Sequence, residues 1–454
     1  MSDQTQVSVG EEDYPDEKYA WYVMAVLVVA YAFSYIDRTI LTLLVEPIRA
    51  SLDITDTQIS LLHGLAFALF YTLLGMPIGW LADRGNRVRI ISIGIFLWSM
   101  ATAACGLANS FLQMFIARVS VGIGEAALSP SAYSLVTDYF KPAKLSRAFS
   151  VYNTGLFIGS GLALVIGGAI IEITPALDVP VIGHLEPWQV TFMYVGLPGV
   201  LVALWALSLR EPKRLGTRGE SELQLGLGGH IRRAIRFMST RPKAYGYHFL
   251  GFAMYAFIWT GTAAWIPTHF IRNFGWTSGE VGGSYGLIVV VFGLFGVTAG
   301  GMLAGYWRQT GKVDAEVRTG IVGVLCTLPF GVLAPLTDNI TLALIGIAGL
   351  TFFASFPWGA ATAALQLITP NRMRAMISAA FLFFVNLAGI GLAPTVVAAI
   401  TDFVFGYDEA VRYSLSISVA VVAPISAFFL WRCLAPYRAA YHEVMASKIL
   451  IEQP

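Results

Sequence analysis

The sequence predicts an all-α membrane protein whose twelve transmembrane helices form two pseudo-symmetric six-helix halves. Three observations support this prediction: an apolar composition, twelve long apolar segments, and a repeat whose offset is close to half the chain. Of the 454 residues, 56% are hydrophobic and 13% are charged, and that charged share is about half the ~25% of ordinary soluble domains. So few charges could not keep the apolar surface of a soluble protein of this size in water.

The same composition argues against several classes of function. A net charge of +1 gives no general attraction for nucleic acid. The sequence has no P-loop or dinucleotide fingerprint, and no Ser/Cys–His–Asp arrangement can be identified from spacing, so neither a nucleotide-driven pump nor an enzyme is predicted. No histidine or cysteine has a partner at metal-ligand spacing, so we expect no metal or cofactor. A receptor or membrane enzyme with the same number of spans is the alternative class.

Each of the twelve apolar segments reaches the ~20 residues that an α-helix needs to cross the hydrocarbon core, the ninth only just. Transmembrane strands would be about half as long and would alternate in polarity, which these segments do not. Helices are therefore the structure that satisfies the backbone in lipid. The segments are 19–48, 56–82, 88–108, 111–139, 145–172, 188–209, 244–271, 279–306, 319–337, 341–368, 373–400 and 411–434.

The basic residues predict the orientation of the chain. The side that holds both termini carries 24 of the 29 Lys and Arg residues, and the other side carries only Arg49, Arg272 and Arg412. By the positive-inside rule both termini are cytoplasmic, in a cell membrane that would be the inner one in a bacterium. The acidic first 18 residues have no basic region before the apolar segment, so they predict a disordered tail and not a signal peptide.

An internal repeat divides the chain. Residues 55–82 align with 277–304 at a constant offset of 222, which indicates two halves in parallel repeat. The longest loop lies between the halves and contains a basic amphipathic stretch, His230–Met238, which we expect to lie on the inner membrane surface. The predicted parts are a disordered cytoplasmic tail (1–18), an N-terminal half (19–209), a cytoplasmic linker (210–243), a C-terminal half (244–437) and a cytoplasmic tail (438–454).

Four charged residues fall inside the hydrocarbon: Asp37 and Arg38 in the first segment, and Arg118 and Glu125 in the fourth. Placing a charge there costs at least ~2.5–3.5 kcal/mol, so such residues need partners and usually have a function. Arg118 and Glu125 are seven residues apart on one helical face, and Gly122 between them allows close approach. If the two helices are neighbours, the four charges form one neutral cluster. The alternative is an inert quartet that fixes helix packing.

The loop after the second segment has a charge pattern that can lock neighbouring helix ends. Asp83 can accept hydrogen bonds from the free N–H groups at a helix N-terminus. Arg84 or Arg87 can pair with a carboxylate such as Asp138 at the end of the fourth segment. Together with Gly79, these residues predict a cytoplasmic gate.

The Gly79–Arg89 loop and the twelve-helix plan resemble the major facilitator superfamily of transporters. Within it, the Tyr35–Arg38 and Arg118–Ala126 sequences, and an asparagine at position 86 where the usual loop has glycine, are similar to bacterial spinster-like lipid transporters. The anion:cation symporters also carry an Asp-Arg in the first helix and a Glu-Ala in the fourth. The resemblance implies a major facilitator fold with helices 1, 4, 7 and 10 around a central cavity. It also implies a proton-linked role for the carboxylates of the first and fourth helices.

The second half has long stretches without charge and many aromatic residues in its seventh and tenth segments. Ordinary packing explains such aromatic stripes when they are taken alone. Together with the charges of the first half, they favour a cavity that is polar on one wall and apolar on the other. We therefore expect an amphiphilic substrate, such as a lysolipid or sphingoid base, moved by alternating access, with its head group at the charged cluster. The predicted substrate-binding residues are Arg38, Arg118, Tyr255, Trp259, Phe356 and Trp358.

The charged cluster also predicts proton coupling. Burial and a nearby guanidinium act in opposite directions on the pKa of a carboxylate, so opening and closing the cavity can load and unload a proton. Glu125 is the expected proton site because it lies deeper, and Asp37 is the alternative. Proton and anionic head group would travel together, whereas a cationic amine would compete with the proton; symport, antiport and uniport stay open. The expected partners are substrate, protons and bilayer, with the protein a monomer; the alternative substrates are small organic anions.

Overall fold

A computed structural model describes residues 14–82, 84–180, 183–214, 227–370 and 373–452. Within these ranges, twelve helices are long and apolar enough to cross a membrane. The predicted all-α membrane fold is therefore confirmed, and we label the twelve spans α1 to α12 in chain order. They are Glu17–Leu43, Asp56–Ala82, Arg87–Cys105, Phe111–Tyr139, Arg147–Ile173, Pro187–Leu207, Pro242–Phe274, Ser278–Gln309, Ala315–Leu336, Ile340–Leu367, Met376–Phe405 and Asp408–Ala446.

Several spans consist of more than one helical piece, because glycine, proline or a short turn interrupts the regular hydrogen bonding. The pieces are Glu17–Thr39 and Ile40–Leu43 in α1, Asp56–His63 and Leu65–Ala82 in α2, Phe111–Glu125 and Leu128–Tyr139 in α4, Pro187–Gly196 and Pro198–Leu207 in α6, Ala315–Leu333 and Ala334–Leu336 in α9, Ile340–Ala354 and Pro357–Leu367 in α10, and Arg374–Asn386, Leu387–Leu392, Ala393–Ala399 and Ile400–Phe405 in α11. The helix of α5 starts at Pro142, and that of α12 runs from Val411 to Glu452.

Shorter elements distinguish the two ends of the bundle. A helix at Leu227–Ser239, the linker helix, lies between α6 and α7, and we call its end of the bundle the linker side. The opposite end, the distal side, carries the helix Val45–Leu52. It also carries an antiparallel pair of strands, β1 (Leu177–Val179) and β2 (Gly183–Leu185), between α5 and α6.

The internal repeat has a structural counterpart where α2 and α8 begin. At Thr55 the side chain accepts a hydrogen bond from the Gln58 N–H, and the Gln58 side chain accepts one from the Thr55 N–H. Thr277 and Glu280 form the same reciprocal pair at the start of α8. Such capping boxes satisfy two N–H groups that would otherwise lack partners. The two halves therefore begin their second helices in the same way.

The two halves contact each other mainly through α5 against α8 and α2 against α11. Glycines make the first contact close, because a Cβ at Gly168 would lie 2.6 Å from the Ser278 carbonyl oxygen. On the α8 side of the same contact, a Cβ at Gly286 would lie 2.9 Å from the Gly161 carbonyl oxygen. The glycine-rich sequence of α5 is thus explained by close helix packing across the two halves.

The segments outside the spans differ in part from expectation. The first helix begins at Glu17, two residues inside the predicted tail, and residues 1–13 lie outside the described part of the chain. The last helix continues to Glu452, through the region predicted as a tail. The linker helix buries Ala234 against α7, and Arg232 and Arg233 are exposed. Residues 215–226 of the linker are not described.

Candidate functional site

An ion pair joins α1 and α4 inside the membrane. Arg38 donates to Glu125 Oε2 from Nε at 2.7 Å and from Nη2 at 2.5 Å. The hydroxyl of Ser34, one turn earlier on α1, donates to the same oxygen at 2.5 Å. The Glu125 side chain is fully buried, whereas 14% of the Arg38 side chain is exposed. Arg38 is therefore the member of the pair that an entering solute can contact.

Two glycines of α4 allow this pair to form. A Cβ at Gly122 would lie 2.6 Å from the Phe67 carbonyl oxygen of α2. A Cβ at Gly124 would lie 2.7 Å from the Trp98 nitrogen of α3. The Gly-x-Gly sequence thus lets α4 fit between α2 and α3 in backbone contact with both, and this contact places Glu125 opposite α1.

Three aromatic rings surround the Arg38 guanidinium. Its central carbon lies 4.9 Å from the ring centre of Tyr35, 4.4 Å from that of Phe67 and 4.8 Å from that of Tyr71. Such cation–π contacts stabilise a cation by about 0.5–2 kcal/mol each. Sequence reasoning missed Ser34, Phe67 and Tyr71 as parts of the site. The four-residue spacing of the two α2 rings was the available signal, but spacing alone does not tell which face of α2 turns toward α1.

The other two membrane charges do not join the cluster as predicted. Arg118 donates to two backbone carbonyls, from Nη1 to that of Asp37 at 3.2 Å and from Nε to that of Leu62 at 3.3 Å. The Asp37 carboxyl is buried, and its Oδ1 has no hydrogen-bond partner within the described residues. Of the predicted quartet, only Arg38 and Glu125 therefore form a direct ion pair among the described residues. Adjacent positions on a helix point about 100° apart, so the side chains of Asp37 and Arg38 leave α1 in different directions.

The predicted aromatic residues divide into two groups. The ring centres of Trp259 and Trp358 lie 6.3 Å apart. The ring centre of Trp259 also lies 6.3 Å from that of Phe157 of α5. The second contact crosses between the two halves, so Trp259 lies at their interface. This is the position expected of a residue that lines a central cavity.

Tyr255 and Phe356 instead belong to the interior of the C-terminal half. The Tyr255 hydroxyl donates to the Phe353 carbonyl at 2.5 Å. Phe356 is buried where Gly300 of α8 and Gly323 of α9 leave room for it. Their assignment to a substrate wall is corrected, because these rings hold α8, α9 and α10 together.

The Arg87–Asp138 pair predicted from the sequence is present on the linker side, and we call the contacts of Arg87 the Arg87 lock. A gating role for these residues stays a prediction. Arg87 is buried and pairs with Asp138 of α4 and, at 2.6 Å, with Glu211 just after α6. Its Nη1 also donates to the Ser134 carbonyl at 3.0 Å. Glu211 accepts a further hydrogen bond from the Val88 N–H at 3.0 Å, at the start of α3. The lock therefore ties α3, α4 and the end of α6, all within the N-terminal half.

The other predicted gate residues lie around this lock. The Arg84 guanidinium stacks on the Trp80 ring at 4.1 Å. A Cβ at Gly79 would meet Pro130 of α4 at an ordinary 3.5 Å. Asp83 lies outside the described residues, so its role stays a prediction.

A second charged network, which sequence reasoning missed, closes the distal side. Arg272 of α7 binds Asp56 of α2 with two hydrogen bonds of 2.6 and 2.7 Å, and Glu46 at 2.7 Å. Arg49 pairs with Asp408 at 2.9 Å. Each of these contacts joins the N-terminal to the C-terminal half. We call the network the distal latch; its members are Glu46, Arg49, Asp56, Thr57, Arg272, Asp402 and Asp408.

The distal latch combines burial with charge. The Asp56 side chain is fully buried and that of Arg272 is 5% exposed. Asp402 accepts hydrogen bonds from both the N–H and the hydroxyl of Thr57, each at 2.7 Å. Sequence reasoning identified Arg49 and Arg272 only as basic residues on the poorly charged side, because pairs 216 to 359 residues apart leave no local pattern.

Comparisons with known proteins agree with this architecture. The family sequence model of the Major Facilitator Superfamily matches residues 27–394 of this chain. An MFS-type efflux pump of Mycolicibacterium smegmatis is 26% identical over 96% of this chain and 97% of its own length. A probable L-galactonate transporter of Escherichia coli is 24% identical over 88% of this chain and 86% of its own.

A solved structure is also similar. It is a bacterial homolog of the human lysosomal transporter spinster in an inward-facing and unoccupied conformation, with a TM-score of 0.77 and 28% identity over 94% of this chain and 98% of that one. Fold and relatives together define a multi-pass membrane transporter, which is not an enzyme in the usual sense. The chain belongs to the major facilitator superfamily. Within that superfamily it is similar to the bacterial spinster homolog.

Proposed function

We propose that this protein is a proton-coupled secondary transporter that moves an amphiphilic substrate by alternating access. The observation that carries the proposal is the Arg38–Glu125 pair, buried in the membrane with only Arg38 in part exposed. A charge pair at this depth is costly to maintain, and an inert pair could be replaced by apolar residues with little loss. The energetic cost of burying the pair is explained if Arg38 and Glu125 exchange partners during transport.

Glu125 is the proposed proton site. When it is neutralised, Arg38 and the rings around it carry a positive charge without a partner, which favours an anionic head group at the same place. Proton and head group then bind together, because each removes a charge that the other would leave unpaired. Asp37 is the alternative proton site, since its carboxyl is buried and its Oδ1 has no hydrogen-bond partner among the described residues.

The substrate is proposed to be a lysolipid or a sphingoid-like amphiphile. Its head group would contact Arg38, and its tail would lie against the Trp259 and Trp358 rings at the interface of the halves. A small organic anion is the second candidate. It is favoured by the exposed guanidinium and by the similarity to a probable L-galactonate transporter.

The linker side is proposed to be cytoplasmic, which places both termini in the cytoplasm. The support is the distribution of basic residues, of which 24 of 29 belong to that side. With the distal latch closed, the described state is then inward-facing, the conformation named for the similar spinster structure. The Arg87 lock is proposed to keep the N-terminal half rigid as the halves rock.

The test is uptake into proteoliposomes under an imposed pH gradient. Radiolabelled lysophospholipid, sphingoid base and hexuronate are compared for the wild type, Glu125→Gln and Asp37→Asn. We expect a lipid substrate to accumulate with the gradient in the wild type and not in Glu125→Gln. Glu443→Gln, a surface carboxylate paired with Arg241, serves as the control.

Three outcomes distinguish the parts of the proposal. A normal response of Glu125→Gln to the gradient would refute Glu125 as the proton site, and loss in Asp37→Asn alone would move the site there. Uptake of hexuronate but of neither lipid would replace the amphiphile with an organic anion. Counterflow, in which labelled substrate exchanges unchanged, separates transport from chemical conversion.

An Arg38→Ala variant should bind substrate more weakly at every pH.

A further inference from the structure

The membrane-facing surface of the C-terminal half contains a groove that the proposed transport site does not use. It has a volume of about 390 Å³ and lies between α8 and α10. Its walls are apolar, and Phe295 and Met302 are 66% and 71% exposed. The lining residues are Phe292, Phe295, Thr298, Ala299, Met302 and Phe352.

The length and depth of the groove match one leaflet of the bilayer. From Phe292 to Met302 the axis of α8 advances about 15 Å, which is half of the ~30 Å hydrocarbon core. Tyr306, one turn beyond Met302 toward the linker side, is 62% exposed, as aromatic residues of the interfacial belt are. The groove therefore begins about 6 Å below this belt and runs along the leaflet on the linker side.

The floor of the groove is closed. A Cβ at Gly296 would overlap the Phe352 carbonyl oxygen, and one at Gly300 would overlap that of Phe356. The backbones of α8 and α10 are thus in direct contact. A molecule in the groove would stay at the protein surface and could not pass from there to Arg38.

A positive charge lies at the linker-side end of α8. Lys312 is exposed, and its Nζ lies 5.3 Å from the centre of the Trp307 ring. The nearest carboxylates in sequence already have partners, since Asp314 pairs with Arg318 at 2.7 Å and Glu316 with Arg308 at 2.5 Å. The charge of Lys312 is therefore available to an anion at the membrane surface.

From this placement we propose that the groove binds one acyl chain of an anionic phospholipid of the linker-side leaflet, with the head-group phosphate at Lys312. The apolar walls take the chain, and the lysine selects the head group, because a basic residue near the surface contributes about 1 kcal/mol toward anionic lipid. This inference does not depend on the proposed substrate or on proton coupling.

Native mass spectrometry of the purified transporter tests the proposal, with phosphatidylglycerol and phosphatidylcholine as the added probes. We expect phosphatidylglycerol to be retained in preference to phosphatidylcholine. Lys312→Gln should reduce that preference about fivefold, and Thr298→Phe, which fills the groove from an exposed position, should reduce retention of both lipids. Two matched controls should retain lipid as the wild type does: Lys243→Gln, an exposed lysine at the start of α7, and Leu287→Phe, exposed on α8 outside the groove.

Each departure has a definite meaning. Unchanged retention in Thr298→Phe would refute the groove as the binding site. Equal retention of the two lipids by the wild type, or an equal loss in Lys243→Gln and Lys312→Gln, would refute the head-group assignment, because general surface charge would then explain binding. Loss in both proposed variants with intact controls would support the site.

Discussion

The two ends of the bundle use ion pairs in different ways. On the distal side, Arg272–Asp56 and Arg49–Asp408 each join one half to the other. On the linker side, the ion pairs among the described residues stay within one half, as those of Arg87 do in the N-terminal half. The distal contacts must break before the halves separate there, whereas the linker-side contacts can persist while the halves move apart.

This difference assigns separate roles to the two networks. Pairs within a half determine the stability of that half and keep its helix ends together. Pairs between halves determine the equilibrium between conformations, because they are present in one state and absent in the other. Substitutions in the two networks should therefore change different measured quantities, and the following predictions use that distinction.

The largest effect is expected from Arg87→Ala on the linker side. The change leaves Asp138 without its buried partner and Glu211 without one of its contacts. Removing one member of a buried pair typically costs about 3–5 kcal/mol. We expect a loss of that order in the free energy of unfolding, measured by urea denaturation in detergent micelles.

Arg84→Ala is the matched control. Arg84 lies in the same loop, but it is exposed and its guanidinium packs on the Trp80 ring. Loss of this contact should lower the free energy of unfolding by no more than about 1 kcal/mol. Equal destabilisation by the two variants would contradict the role given to the buried Arg87 network.

The next largest effect is expected from Arg272→Gln on the distal side. This change should shift the equilibrium between the conformations that are closed and open on that side. Truncating one partner of a buried charge pair at an interface costs about 2–5 kcal/mol. Even the lower value moves a two-state equilibrium about thirtyfold toward the form that is open on the distal side. Distances between spin labels at Leu112 of α4 and Leu333 of α9, both exposed, would report this opening once the native cysteines are replaced.

Arg412→Gln provides the comparison on the same side of the membrane. Arg412 pairs with Asp338 at 2.8 Å, and both residues belong to the C-terminal half. Its loss removes an ion pair without releasing any contact between the halves. If Arg412→Gln widened the spin-label distance as much as Arg272→Gln does, loss of charge and not the crossing of the interface would explain the effect.

The sequence predicted the fold well because its signals are local or repeated. Segment length and composition located the twelve spans, and the repeated capping residues Thr55 and Thr277 stand at equivalent helix starts. The Arg87–Asp138 pair was also predictable, since each residue lies at the end of a span on the same side. Such features depend on how far a helix extends and not on which way it faces.

The site was predicted less well because rotation about the helix axis decides it. Asp37 and Arg38 are adjacent in sequence, yet only Arg38 meets Glu125. Phe356 appeared equivalent to Trp358, but two glycines of neighbouring helices draw it into the interior of the C-terminal half. The distal latch was missed for a related reason, because its partners come from opposite halves and no spacing in the sequence connects them.

The smallest expected effect is that of Arg49→Gln, which sharpens the comparison within the distal latch. Arg49 is 22% exposed and its partner Asp408 is 50% exposed. An exposed pair contributes about 0.2–1 kcal/mol, so the open population should rise at most about fivefold, against about thirtyfold for Arg272→Gln.

The response to salt and pH should separate the two arginines further. At high ionic strength the wild type should come to resemble Arg49→Gln, because salt screens exposed pairs more than buried ones. Burial lowers the pKa of Arg49, but the hydrogen bond to Asp408 and the charge of Asp56 raise it, so the pKa lies above its ordinary value. Arg49 therefore remains charged at every working pH, so a pH dependence of distal opening cannot be assigned to the titration of Arg49. A salt response of equal size in Arg49→Gln and the wild type would show that the exposed pair contributes nothing to closure.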